Sequence, residues 1–254
     1  MDAAPDPLRF VRFLTARVGA GTQARRELSY ELLGARAGMR LLDVGCGVGD
    51  DVRALARLAG PTGAVIGLDA SESLLAAARE RSQGLEHPGT FQRGDMHHLP
   101  FDSATFDGCR AERVLIHSDD PARVVAEMAR VVKRGGVVVV TEPDLDMLTF
   151  HTDNHDVARR LTRWHADSVR DGWVGRRLAD LFAQCGLVEV QLIPTVAHTI
   201  TLSTYPQSLV RRASERGVLT PEEAETVLGE WQRRAEEGRY LEYGIFFTAT
   251  GRVR

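Results

Sequence analysis

The chain has 254 residues, 43% hydrophobic and 26% charged, with a net charge of −3. These values describe an ordinary globular protein and argue against a general nucleic-acid surface. Three dispersed cysteines, Cys46, Cys109 and Cys185, exclude a disulfide framework or a Cys-rich zinc site and fit a reducing, cytoplasmic setting.

Basic character comes almost wholly from arginine, because Lys133 is the only lysine among 32 basic residues. This usage reads as the codon bias of a GC-rich genome. The first residues, MDAAPDPLRFVRF, are acidic at the start and lack a long apolar core, so no secretory signal is expected. Residues 7–34 predict helix, in two pieces divided at Gly19-Ala20-Gly21. Residues 39–44 (MRLLDV) predict a buried strand that runs into Gly45, Gly47 and Gly49. Helical periodicity returns over 50–58 and is stopped by Gly60-Pro61-Thr62-Gly63. A second strand covers 64–68 and ends at Asp69; a helix over 71–81 follows, with Glu72 at its positive end. A short third strand at 90–93 leads into Gly94-Asp95-Met96, and a fourth covers 105–111. Residues 121–132 predict a helix capped by Asp119 or Asp120, ended by Gly135-Gly136, and then a fifth strand at 137–141. That strand holds the longest aliphatic run, Val137 to Val140, far too short to span a bilayer. The alternation argues a parallel sheet covered on both faces.

The pattern changes after Glu142. Residues 143–173 are polar, partly aromatic and not strand-like. A helix at 176–184, a strand at 188–194, a charged helical stretch over 203–238 and a final strand at 243–250 complete the chain. The organisation expected is a single domain over 1–254. Residues 1–38 form a helical cover, 39–142 the core, and 143–173 with 203–238 form insertions, where loops set specificity.

In such a fold a ligand lies across the carboxyl ends of the strands. Gly45, Gly47 and Gly49 give G-x-G-x-G, and Asp50 stands where the dinucleotide fingerprint wants glycine or alanine. An acid beside a pyrophosphate suits NAD poorly. Carboxylates in the loop suit a ligand with an ammonium group and no phosphate, which points to S-adenosylmethionine (SAM). Asp43 can organise the loop or meet the ammonium. Asp69 can accept the ribose hydroxyls, with Ala70 beside it, and Asp95 and Met96 fit an adenine edge. Cys46 contributes backbone.

The run Asp43-Val44-Gly45-Cys46-Gly47-Val48-Gly49, then Gly67-Leu68-Asp69, Gly94-Asp95-Met96 with Leu99-Pro100-Phe101, Phe106-Asp107-Gly108, and Arg130 to Gly136 (RVVKRGG) resembles the successive motifs of class I SAM-dependent methyltransferases. The nearest branch in resemblance includes the ubiquinone and menaquinone biosynthesis enzymes and small-molecule enzymes of bacterial secondary metabolism. The resemblance covers residues 39–142. It implies a Rossmann-like, doubly wound, seven-stranded sheet with the last strand antiparallel, plus helical cover insertions. It also implies a small-molecule acceptor, no nucleic-acid or membrane partner, and a monomer or homodimer. A protein of the same fold recruited for cyclisation or rearrangement, a SAM-binding module without turnover, and an NAD-dependent oxidoreductase are the alternatives.

Glu112, at the end of the fourth strand, either faces the transfer site or pairs with Arg110 or Arg113. His117 is the candidate base, set against a structural or pocket-lining role. His97 and His98 read as solvated turn residues. His151 and His155 share the spacing of a metal pair but lack a partner motif, so no metal is expected. An acceptor cover is expected from Phe10, Phe13, Phe150, Trp164 and Tyr205, with Phe150 and Tyr205 as substrate contacts.

Overall fold

The computed structural model describes residues 20–254; the expected contributions of Phe10 and Phe13 lie outside this range. Its centre is β1 (Arg40–Val44), whose residues from Leu41 onward are all buried. Strands covered on both faces read as unbroken aliphatic runs. β1 pairs in parallel with β2 (Ala64–Asp69) on one side and β4 (Phe106–Glu112) on the other. β3 (Thr90–Arg93) extends the sheet beyond β2, and β5 (Val132–Phe150) beyond β4. β7 (Glu242–Arg252) lies antiparallel between β5 and β6 (Val188–Thr199). The order is therefore β3-β2-β1-β4-β5-β7-β6, the seven-stranded arrangement implied by the resemblance.

The helices follow their local signals. α1 covers Ala20–Leu33, α2 Asp50–Ala59 and α3 Glu72–Arg81. Ser71 caps α3, its hydroxyl accepting from the Leu74 N–H. Asp120, not Asp119, caps α4 (Pro121–Val131) by accepting from Arg123 N–H, with Pro121 in the first turn. α5 is His155–Asp167, α6 Leu178–Gln184, α7 Thr204–Glu215 and α8 Pro221–Glu236. α8 starts on a capping box formed by Thr220 and Glu223.

Three expectations are corrected. Helix α4 stops at Val131, before the Gly135-Gly136 pair, because Val132 is already extended and pairs with Phe106. Residues 143–150 are strand, not an irregular insertion: β5 continues to Phe150 because β7 supplies partners out to Glu242. β6 runs on to Thr199 for the same reason. A separate apolar cluster then forms beyond the sheet, where Phe150, Leu161, Leu209, Val210 and Trp231 gather from β5, α5, α7 and α8.

Candidate cofactor and acceptor cleft

The strand ends β1, β2 and β4 open into a cleft of about 550 Å³. The loop after β1 forms its floor. Its glycines Gly45, Gly47 and Gly49 have φ of 69°, 54° and 77°, the left-handed region that penalises a side chain. A Cβ on Gly45 would stand 2.3 Å from Val114 Cγ2, and one on Gly49 2.6 Å from Phe91 Cε1. At these two positions, therefore, the close approach comes from the protein itself. Gly47 lines the cleft, and its N–H donates to Asp69 Oδ2 at 2.9 Å. Asp69 Oδ1 accepts from Ser71 N–H at 2.9 Å, so one carboxylate ties the first loop to the second.

Cys46, Gly45, Asp69, Ala70, Asp95, Met96, Glu112 and His117 all line this cleft. Burial pushes the Cys46 thiol's pKa up, which removes it as a nucleophile. Asp95 is exposed. It accepts from the backbone and ring of His97, each at 2.9 Å, and these bonds hold its pKa below the ordinary value. His97 is thus not a solvated turn residue: it lines the cleft and its Nε2 lies 2.8 Å from Ser118 Oγ. His98 remains exposed. His117 presents an exposed side chain, yet the protein packed around it and the Arg113 cation lower its pKa.

Asp43 is placed elsewhere. It is 2% exposed, and it stands opposite Arg110 across the β1–β4 ladder, accepting from its guanidinium at 3.0 Å. Arg110, itself buried, also lies 3.1 Å from Asp51 and 2.8 Å from Glu112. Arg25 binds the other oxygen of Glu112 at 2.9 Å, Arg26 reaches Asp51 at 3.3 Å, and Tyr30 donates to Asp51. This network joins α1, α2, β1 and β4 beneath the loop. Burial, with the nearby carboxylates Asp51 and Glu112, raises the Asp43 pKa to about 7 against the pull of Arg110. For Asp51, burial is outweighed by Arg110 and Arg26, and its pKa falls. Glu112 both lines the cleft and pairs with Arg110, while Arg113 is not its partner.

At the other end, Tyr205 lines the cleft, and its hydroxyl lies 2.5 Å from His165 Nε2. Leu145, Leu148, Ile245 and Phe246 supply apolar walls. Phe150 does not reach it. Its ring is 3% exposed and packs 4.9 Å from Trp231, so the expected substrate contact is a core residue. Trp164 packs partly buried on the same cluster, whereas Trp173 is 48% exposed beneath the Arg176 guanidinium. His151 precedes α5 and His155 opens it, so the two do not share a helical face. No cluster of metal-ligating residues occurs among the described residues.

Residues 42–140 match the family described as a methyltransferase domain. This segment is a methyltransferase domain. A 37.1 kDa protein of transposon Tn4556 from Streptomyces fradiae is 35% identical over 218 residues, covering 85% of this chain and 62% of that protein. A demethylmenaquinone methyltransferase of Staphylococcus aureus is 39% identical over 110 residues, 43% of this chain and 45% of that enzyme. The chain thus spans less than two thirds of these relatives. The crystal structure of the YcgJ protein of Bacillus subtilis matches with a TM-score of 0.60 at 19% identity, over 91% of this chain and 99% of that one, which shows a shared fold.

No local sequence signal marks Asp51 as a network member or His165 as a cleft residue, and Arg110 enters the sequence reading only as an alternative partner of Glu112. Glu142 was also missed, at the far end of the matched motifs. It is fully buried; its Oε1 accepts from the N–H groups of Val114 and Leu115, both at 2.7 Å. These bonds fix the short turn Leu115–His117 against the cleft. The other oxygen has no hydrogen-bond partner among the described residues. Burial pushes the pKa from 4.5 up to about 8, against the backbone N–H groups of Leu115, Val114 and Ile116, which favour the carboxylate. The folded chain therefore holds a proton that the unfolded chain loses within this window. Stability is complete below the lower value and declines as pH rises towards the upper one, by at most about 1.4 kcal/mol per pH unit. In Glu142→Gln that part of the slope is absent, so urea midpoints near the two ends of the window differ less than in the wild type.

Proposed function

We propose that the protein is a SAM-dependent methyltransferase of a medium-sized, largely apolar small molecule, probed most naturally among bacterial secondary metabolites. The observation that carries this reading is the Gly45–Gly49 loop tied to Asp69 at the head of the cleft, within the segment that matches the family. The side chains around that loop fit the cofactor's chemistry. Asp69 and Asp95 offer acceptors to a diol and an exocyclic amine, Met96 offers a thioether to a ring, and the sole lysine is engaged elsewhere with Asp107.

When bound, SAM supplies an electrophilic sulfonium methyl; the acceptor's O, N or C takes the methyl with its lone pair, and the C–S electron pair stays on sulfur. The chain's work is then orientation and exclusion of water. His117 faces the cleft, and its lowered pKa keeps it neutral near pH 7, able to take the proton that an acceptor hydroxyl or amine gives up. Tyr205 with His165 lines the acceptor end.

Release of S-adenosylhomocysteine (SAH) from SAM in the presence of a metabolite panel, followed by mass analysis of the methylated product, tests the reading. Tight SAH binding with no acceptor-dependent release across the panel favours a binding module. Conversion of an acceptor without SAH release favours cyclisation or rearrangement.

A further inference from the structure

The carboxylates around the cleft are mostly neutralised by arginines: Asp50 by Arg53, Asp51 by Arg26 and Arg110, Glu112 by Arg25 and Arg110, Asp144 by Arg176. Two cleft arginines, Arg113 and Arg212, stand outside this pattern. Arg113 follows the last residue of β4 and lines the cavity, half-buried. Its Nε is fully buried with no hydrogen-bond partner, and no carboxylate of the described residues pairs with it. Its charge adds to burial in lowering the pKa of His117, which lines the same cleft. The backbone holding it is also unfavourable for its residue type. Arg113 has φ of 56°, fixed by its N–H donating to Thr141 O at 2.9 Å. Non-glycine residues in the left-handed region are uncommon, and such strain concentrates at ligand sites. Arg212, exposed on α7, also lines the cleft and has no carboxylate partner among the described residues. A half-buried cation without a counter-ion is costly unless a ligand completes it.

We infer that the acceptor carries an anionic oxygen group, a carboxylate or a phosphate ester, that is held by the Arg113 guanidinium together with Arg212, while its apolar body lies on Val114, Ile116, Leu148 and Phe246. This rests on the methyltransferase reading and adds the acceptor's charge to it. A guanidinium fork recognises either anion by paired N–H donors. It leaves the loop at Gly45–Gly49 and the carboxylates Asp69 and Asp95 to the cofactor.

The test uses three probes of one length, octanoate, octyl phosphate and the neutral octanamide, titrated into the SAH-saturated full chain. SAH affinity is measured first, so that failure of the methyltransferase reading appears there, as absent SAH binding. The wild type binds at least one anion about tenfold or more tightly than octanamide, as expected for a charge-assisted hydrogen bond; which anion wins distinguishes carboxylate from phosphate. Arg113→Asn, chosen because asparagine tolerates positive φ, abolishes this preference. It leaves SAH affinity within about threefold, well below the tenfold expected for a lost charged contact. Arg113→Lys keeps a reduced preference, because the charge remains and the fork is lost. Melting temperatures close to wild type confirm that the variants are folded. The inference is overturned if octanamide binds as well as both anions, if neither anion binds up to about 10 mM, a weak-affinity limit, or if the preference survives in folded Arg113→Asn or Arg212→Gln carrying the same substitution. Loss of SAH affinity in Arg113→Asn also overturns it, by assigning the guanidinium to the cofactor.

Discussion

Replacing Arg110 with methionine lowers the stability of the folded state by about 3–5 kcal/mol, read as a fall in the urea midpoint at unchanged slope. Arg110 is 1% exposed and meets three carboxylates, Asp43, Asp51 and Glu112, at 3.0, 3.1 and 2.8 Å. Arg25 and Arg26 still reach Glu112 and Asp51 in the variant, but Asp43 loses the guanidinium that hydrogen-bonds it. Removing one member of a buried ion cluster costs more than the cluster's net contribution, because the remaining charges stay desolvated. Methionine keeps most of the side-chain volume, so cavity formation adds little. Adding Asp43→Asn to Arg110→Met restores part of the loss, since the amide carries no charge into the core. A loss under about 1 kcal/mol, the level of an exposed pair, or no recovery in the double variant, would show that the cluster is not the link between α1, α2, β1 and β4.

Asp69→Ala weakens SAM binding by about 2 kcal/mol, roughly thirtyfold, the value of a hydrogen bond to a charged group. The carboxylate sits at the end of β2 between two loops, accepting from Gly47 and Ser71 N–H groups at 2.9 Å each. The same substitution therefore also loosens the loop under the cofactor. The sheet is unaffected, because β2 pairs with β1 and β3 through its backbone. Circular dichroism and melting temperature change little while the calorimetric dissociation constant rises. An unchanged constant places ribose recognition on another residue.

The first half of the fold was legible because its punctuation is local. The glycine run, the Gly60-to-Gly63 stop and the Ser71 cap each act within a few residues, and the strand at 90–93 and the helices from 50 and 121 begin where those signals put them. The extension of β5 to Phe150 was hidden because Pro143, Asp144 and Asp146 look unlike strand residues, and it is pairing of Pro143, Asp144, Thr149 and Phe150 with β7, about a hundred residues on, that carries the strand through. Asp43 was legible as important but not as buried. Its side chain faces Arg110 through the β1–β4 register, a relation between residues 67 apart. His97 and Tyr205 owe their places to Ser118 and His165, contacts that no spacing announces. Phe150 and Tyr205 are both aromatic residues in the expected cover, and only packing decides that one meets Trp231 and the other the cleft.

Calorimetric titration of the full chain with SAH, and in parallel with NAD, tests the central claim most directly. The account predicts SAH binding at low-micromolar affinity or tighter, lost in large part in Asp69→Ala, and little heat from NAD, because an acid at Asp50 suits its pyrophosphate poorly. Tight NAD binding with no signal from SAM or SAH would contradict it.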